Sequence, residues 1–226
     1  MKKMIFAILA IAVTVMSCKK DKAAPAADTI KYMSYTANST WNYETVNSLT
    51  GIITKYTLTS TSRDSTANGK AYHVFTNSSG SANEYYAISG NEYYNFQNLP
   101  VSVGGKTVES IYLKDDVAAD GTWTQPYTVT TSGVPLTITI VNTITEKGIS
   151  KTVNSIAYTD VIHVTSSISV SAFGIPLPTG AVTTDVQAYY AKKYGMIQSK
   201  NKVVINYSGI VSNTDDETTL KSADIK

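Results

Sequence analysis

The chain has 226 residues, with 19 Lys and Arg against 17 Asp and Glu, so its formal net charge at pH 7 is +2. A balance this close to neutral argues against the basic face of a nucleic-acid-binding protein, and no nucleic-acid partner is expected. The single cysteine excludes both a disulfide framework and a multi-cysteine metal site.

The N-terminus has the pattern of an export signal. Lys2 and Lys3 precede an apolar run over residues 4–16, which ends at Val15-Met16-Ser17-Cys18. This run is too short to cross about 30 Å of hydrocarbon, which needs about 20 residues. We therefore predict that residues 1–17 are a signal peptide and play no part in the fold.

The sequence Val15-Met16-Ser17-Cys18 resembles the lipobox of bacterial lipoprotein signals. The resemblance implies cleavage before Cys18, a diacylglycerol thioether on its sulfur and acylation of the new amine. Two or three acyl chains hold a protein stably on a membrane where one does not. The predicted partner is thus a membrane, bound through lipidated Cys18, and the predicted location is the outer membrane, on its periplasmic or cell-surface side. The alternative is an ordinary secretory signal that leaves Cys18 as a stray thiol.

The segment after the lipobox differs in composition from the rest. Residues 19–28 contain Ala, Pro and Lys without apolar periodicity, so we predict a flexible tether over residues 18–28. Five of the basic and two of the acidic residues precede residue 29, which leaves 14 basic and 15 acidic residues in the body. We predict that residues 29–226 form a single domain with one core.

Apolar and polar residues alternate along much of the body. The clearest rows are Val134–Ile140, Ile162–Val170 and Val203–Tyr207, separated from others by turns that contain glycine. Residues 182–193 have charges that suit a helix, but Val182 and its Thr neighbours favour a strand. The pattern predicts an all-β domain of about ten to twelve strands. We expect one large curved antiparallel sheet, as a half-barrel or a barrel.

Several short motifs are similar to a family of uncharacterised Bacteroidetes lipoproteins. They are Trp41-Asn42-Tyr43, Gly69–Val74, Asn91–Tyr94, Gly121-Thr122-Trp123, Tyr158–Val164 and the hairpin Tyr189–Ile197. In that hairpin Lys193 and Tyr194 stand where the family has Gly and Val. The resemblance implies a long antiparallel sheet wrapped into a half-barrel or barrel, loosely like periplasmic lipoprotein carriers.

The residues that could carry chemistry are few. His73 and His163 each fall in a predicted strand, and no G-x-S-x-G, H-x-H or H-E-x-x-H pattern accompanies them. We predict that both are solvated strand residues, that the chain has no metal site and no cofactor, and that it is not an enzyme. A hydrolase would need one of these histidines within hydrogen-bond reach of a carboxylate and a hydroxyl in one cleft.

Two acidic groups offer oxygen ligands without the spacing of a known calcium loop. These are Asp115, Asp116 and Asp120 before Gly121, and Asp215-Asp216-Glu217 near the C-terminus. We predict solvated turns for both.

Tyrosine is the most distinctive part of the composition, with 16 residues that include the doublets Tyr85-Tyr86, Tyr93-Tyr94 and Tyr189-Tyr190. Neighbours in a strand point to opposite faces, so one ring of each doublet can enter the core. Most are expected to pack across strands. Exposed aromatic rings also suit ligand recognition. The predicted binding surface consists of Tyr86, Tyr94, Trp123 and Tyr189.

The sequence as a whole predicts a membrane-anchored, non-enzymatic binding or structural module of the cell envelope. Its ligand is a glycan, a protein or an apolar molecule in a concave face. The alternatives are a lipid or lipoprotein carrier and an extracytoplasmic hydrolase. An apolar open concavity would favour the carrier, and one lined by Thr, Ser and Tyr would contradict it.

Overall fold

The computed structural model describes residues 30–99, 105–131, 133–207 and 210–226. The predicted signal peptide, Cys18 and the predicted tether lie outside these residues. No helix in the described ranges has the length and apolar character needed to cross a bilayer.

The described residues form thirteen strands. Their bounds are β1 Thr40–Asn47, β2 Ile53–Ala67, β3 Lys70–Asn77, β4 Glu84–Ser89, β5 Glu92–Asn98, β6 Thr107–Lys114, β7 Thr122–Thr131, β8 Val134–Val153, β9 Ile156–Ala172, β10 Ile175–Pro176, β11 Val182–Ala191, β12 Gly195–Tyr207 and β13 Ile210–Asp224. The strand predicted over residues 182–193 is present as β11, since Val and Thr suit a pleated surface.

All strands belong to one antiparallel sheet, in the order β6-β5-β4-β3-β2-β1-β13-β12-β11-β9-β8-β7, with the short β10 paired to β9. Most neighbours are joined by hairpins. The neighbours β9 and β11 are instead connected through β10, and the first strand pairs with the last, from Thr40 opposite Asp224 to Asn47 opposite Asp216. The predicted all-β architecture, with one curved barrel-like sheet, is confirmed.

The sheet curls until its two end strands, β6 and β7, face each other. Side chains join them: Trp123 Nε1 donates to the Ile111 carbonyl at 2.9 Å, and the Tyr127 hydroxyl donates to the Glu109 carbonyl at 3.1 Å. Ser110 also donates to the Gln125 amide oxygen at 3.2 Å. The barrel is therefore nearly closed, with a seam made by side chains.

The two ends of the barrel differ. At the proximal end, the segment 30–39 packs against turns: Lys31 donates to the Gly90 carbonyl at 3.0 Å and accepts from the Lys193 amide at 2.7 Å. Gly195 in the same turn has φ +73°, and a Cβ there would lie 2.8 Å from the Met33 sulfur. The hairpins that begin after β1, β3 and β9 turn at the other end, called distal here.

The barrel interior is apolar at both ends and polar between them. The proximal cluster contains Trp41, Tyr43, Leu58, Phe75, Ile144, Ile162, Tyr190, Ile197 and Leu220. The distal cluster contains Leu99, Val108, Val129, Leu136, Ile138, Ile140, Val170, Val203 and Ile205. On β8 the buried Asn142 separates Ile140 from Ile144, and it accepts from Ser166 on β9 at 2.6 Å. This hydrogen bond satisfies a polar group far from solvent.

Burial keeps many tyrosine hydroxyls protonated. It raises the pKa of Tyr56 to about 12 and the pKa of Tyr43, Tyr86 and Tyr112 well above the ordinary value of 10.0. Nearby Glu84 adds to the shift for Tyr43, Tyr56 and Tyr86.

We predict that the free energy of unfolding falls as pH rises above about 10. In that range the unfolded tyrosines lose protons that the native ones keep, so alkali favours the unfolded chain, by up to about 1.4 kcal/mol per pH unit for each such tyrosine. Urea denaturation between about pH 8 and pH 11 measures the loss. Tyr56→Phe should reduce the loss. The prediction would be contradicted if the tyrosinate absorbance of the native protein reached its full value near pH 10.

Candidate functional site

The distal half of the barrel contains a partly open cavity of about 350 Å³, called the distal chamber here. Its apolar wall comes from β8, β9 and β12 together with the residue after β5: Ile138, Ile140, Ile168, Val170, Val203, Ile205 and Leu99. All but Ile168 are at least nine-tenths buried. The volume lies within the range of about 300–1,000 Å³ that is usual for small-molecule sites.

The polar side of the distal chamber carries no charged residue. It consists of Gln97 and Asn98 on β5, Asn201 on β12, and Ser212 and Thr214 on β13. Amide and hydroxyl groups on one side and aliphatic groups on the other suit an uncharged molecule with a mainly apolar body, because a buried charge would lack a partner there.

A second interior cavity, of about 210 Å³, lies among tyrosines in the proximal half. It is lined by Tyr43, Tyr56, Tyr86, Tyr112 and Tyr190, together with Met33, Leu58, Glu84, Asn95 and Met196. Glu84 accepts from Asn77 at 2.8 Å and from the Tyr86 hydroxyl at 2.6 Å. The Asn95 amide oxygen is buried without a hydrogen-bond partner among the described residues. This cavity is smaller and more polar than the distal chamber.

The structure places the four residues of the predicted binding surface in different surroundings. Tyr86 lines the tyrosine cavity, and Trp123 is 6% exposed at the seam. Tyr94 lies on the outer face with the Lys70 ammonium 4.4 Å from its ring centroid. Tyr189 lies between the stacked His163 ring, at 4.0 Å, and the Lys151 ammonium, at 3.6 Å. These four rings do not share one surface.

His73 bridges an irregularity in the pairing of β2 with β3. The register shifts between Ser60 and Asp64, while the facing strand advances only from Phe75 to His73. His73 Nε2 lies 2.9 Å from Ser60 Oγ and its Nδ1 lies 2.8 Å from Asp64 Oδ1. The prediction that His73 is a solvated strand residue is wrong, because the bulge brings partners to both of its nitrogens and leaves its side chain 11% exposed.

The order Ser60–His73–Asp64 has the connectivity of a hydrolytic triad, but Ser60 is fully buried. Its hydroxyl also lies 3.2 Å from the Tyr35 carbonyl, and the Tyr35 ring stacks on His73 at 4.9 Å. A nucleophile must reach the substrate carbonyl, and this serine has no surface from which to do so. The arrangement instead ties the bulge of β2 to β3.

His163 is also paired and is not the solvated residue predicted from sequence. Its Nδ1 lies 3.0 Å from Glu146 Oε2 on β8, and its Nε2 lies 3.2 Å from Gln187 Oε1 on β11. The register of β8 shifts between Ile144 and Glu146, directly opposite this histidine. Each histidine thus faces a bulge and links the strands around it.

The acidic groups bind protein partners. Asp115 accepts from the Tyr93 hydroxyl at 2.6 Å. The turn predicted for Asp215-Asp216-Glu217 is wrong, since all three lie within β13, where Asp215 pairs with Lys202 at 2.8 Å and Asp216 accepts from Asn47 at 2.7 Å. No group of three or more potential ligands among His, Cys, Asp and Glu could hold a metal ion in the described part of the chain.

The residues of the distal chamber were recognised from sequence only as apolar rows. Alternation identifies which face is buried, but it carries no measure of how far apart facing walls lie. The one available signal is that the residues of these rows that line the distal chamber are Val and Ile, without an aromatic ring. The proximal rows, by contrast, contain Trp41, Tyr43, Phe75 and Tyr190.

Comparison with known proteins supports the fold. No protein-family profile matches the chain, and no curated protein matches it in sequence. A crystal structure of a candidate lipoprotein from Parabacteroides distasonis ATCC 8503 is similar, with a TM-score of 0.50 and 11% identity over 87% of this chain and 100% of that one. A candidate exported protein with a YmcC-like fold from Bacteroides fragilis NCTC 9343 matches with a TM-score of 0.37 and 9% identity, over 83% and 96% of the two chains. At this identity, the first likeness shows a shared fold alone.

We predict that His73→Phe lowers the free energy of unfolding by about 1–3 kcal/mol, since it leaves the buried Ser60 hydroxyl without its imidazole partner. Asp64→Ala should cost less than about 1 kcal/mol, because the Asp64 side chain is 66% exposed and its ion pair is screened by solvent. Urea denaturation of both variants checks this. A His73→Phe protein as stable as the parent would contradict the bridging role.

Proposed function

We propose that the chain is a membrane-anchored, non-enzymatic binding lipoprotein of the bacterial envelope, which holds a small, uncharged and mainly apolar molecule in the distal chamber. The observation that carries this proposal is the chamber itself: about 350 Å³ of space inside a barrel, with aliphatic walls and no charged lining residue.

The chemistry of the walls supports an apolar ligand over a charged one. Burial of aliphatic surface contributes about 25 cal/mol per Å², so a ligand that fills the space between Ile138, Ile168 and Val203 gains affinity mainly by leaving water. Asn201 and Thr214 offer neutral hydrogen-bond groups that could fix the ligand's orientation.

The depth of the chamber argues against a long lipid as cargo. Below the chamber, at the level between the two apolar clusters, Asn142 and Ser166 on the neighbouring strands β8 and β9 form a partly buried hydrogen bond. The cavity beneath that level is lined by tyrosines and Glu84 rather than by aliphatic groups. The aliphatic lining of the distal chamber thus ends at this polar level, which favours a compact ligand over an extended acyl chain.

The surroundings of the histidines support a non-enzymatic role. Ser60, the hydroxyl partner of His73, is buried, and His163 is enclosed by Glu146, Gln187 and Tyr189. Neither histidine lines the distal chamber.

Anchoring through Cys18 fits the position of the first described residues at one end of the barrel. The described chain begins at Ile30, which lies with Lys31 and Tyr32 at the proximal end. A lipid-linked Cys18 followed by a tether of about ten residues would place this end toward the bilayer and the distal chamber away from it.

The chamber is tested by filling it. Val203→Phe should weaken binding of the neutral probe N-phenyl-1-naphthylamine by about tenfold or more, corresponding to about 1.4 kcal/mol, because the added ring occupies the cavity. The matched control is Val204→Phe, on the opposite face of the same strand. Fluorescence titration measures both variants. Absence of probe binding to the parent protein, or equal loss in the two variants, would overturn the proposed site.

The anchor is tested separately. In a Gram-negative host with a lipoprotein pathway, the parent protein should fractionate with the outer membrane and incorporate labelled fatty acid. Cys18→Ser should abolish the label and release the protein from membranes, since no other thiol is present. Ser17→Ala is the control and should keep both. A membrane-bound, labelled Cys18→Ser protein would refute lipidation at this residue.

A further inference from the structure

A groove of about 540 Å³ lies on the outer side of the sheet between β2 and β6. It shares Asn98 with the distal chamber and Glu84 with the tyrosine cavity, and its other lining residues belong to neither. It is lined by Ser65, Ala67, Tyr72, Asn77, Ser81, Ala82, Asn83, Glu84, Tyr85, Phe96, Asn98 and Thr107. The segment 81–84, just before and at the start of β4, forms one side. The groove therefore combines strand residues, which hold their positions, with a short connecting segment.

Three aromatic rings make the apolar part of the groove. Phe96 packs against Tyr72 at 4.8 Å between centroids and meets Tyr85 edge-on at 6.5 Å. Tyr72 is fully buried, and its hydroxyl donates to Glu109. Packing and this hydrogen bond therefore hold the Tyr72 ring in place. Phe96 and Tyr85 are half-buried and present ring surface to the groove. Such surfaces suit a flat ligand with C–H groups on one face, because the aromatic face is electron-rich.

Short polar side chains surround these rings. The side chains of Ser65 and Asn83 make no hydrogen bond to any described residue. The Asn98 oxygen accepts from Thr107 at 2.5 Å, which leaves the nitrogen of that amide available. Hydroxyl and amide groups of this kind match the many closely spaced hydroxyls of a sugar ring.

The charge of the groove restricts the kind of ligand that can bind there. Glu84 is its one charged lining residue among those described, with its carboxylate held by Asn77 at 2.8 Å and Tyr86 at 2.6 Å. A fixed negative charge disfavours an anionic ligand, and the polar rim disfavours a wholly apolar one. The groove also lies on a face of the sheet within paired strands, so a peptide cannot add to it as a further strand.

We propose that this outer groove binds neutral oligosaccharides, with a sugar ring packed on Phe96 and Tyr85 and hydroxyls bonded to Ser65, Asn83 and Asn98. The site shares only Asn98 with the distal chamber, and its aromatic rings are not part of that chamber. The same protein would then carry an apolar molecule inside the barrel and a saccharide on its outer wall.

The test is isothermal titration of the purified full chain with maltotriose, cellotriose and chitotriose, and with trigalacturonic acid as an anionic comparison. At least one neutral trisaccharide should bind, and the anionic one should bind at least tenfold more weakly. Phe96→Leu should weaken the neutral sugar by tenfold or more. The matched control is Phe173→Leu, because Phe173 is 69% exposed and lies outside the groove, and it should leave binding unchanged.

Asn83→Ala provides a second variant that touches no core residue, and it should also reduce affinity if Phe96→Leu fails to fold. Val203→Phe should leave sugar binding intact, which separates this site from the distal chamber. The proposal is overturned if no neutral trisaccharide binds, if the anionic one binds as well or better, or if folded Phe96→Leu and Asn83→Ala proteins bind like the parent.

Discussion

The antiparallel ladder between β1 and β13 is the interaction on which the rest of the structure depends. Other strand neighbours are close in sequence, whereas Thr40 and Asp224 must meet from opposite ends of the folded chain. That pairing joins the β2–β6 half of the sheet to the β7–β12 half. Closing so long a loop costs conformational entropy before any contact repays it. Lys221 adds local support by bonding Glu44 at 3.3 Å and Asn154 at 3.0 Å.

The contrast between the two halves of the interior explains where space remains. A sheet of twelve strands encloses a lumen wider than two facing aliphatic side chains can fill. At the proximal end, Trp41 and the segment from Tyr32 to Tyr35 occupy that width, and the Trp41 indole donates to the Tyr194 carbonyl at 2.8 Å. At the distal end the facing residues are Val, Ile and Leu, and the distal chamber is the remaining gap.

The sequence was sufficient to predict the strands and their faces, because alternation with a period of two depends only on local geometry. It was insufficient for features set by partners distant in sequence. His73 follows Tyr72 in an alternating row, and nothing local reveals that the facing strand carries extra residues that bring Ser60 and Asp64 to its ring. Asp215-Asp216-Glu217 reads as a turn until Lys202 and Asn47 on the neighbouring strands are known. The chamber was missed for the same reason, since its width depends on the closure of the whole sheet.

The two ends of the barrel differ in the residues that they expose. Its longest strand, β8, has 20 residues, which at about 3.3 Å each and a usual barrel tilt gives a height on the order of 50 Å. Exposed apolar side chains stand at the end away from Ile30, namely Leu49, Ile52, Ile53, Phe173 and Ile175. With the chain anchored through Cys18, as proposed, these tips would lie about a barrel height from the bilayer and would face whatever approaches from the opposite side.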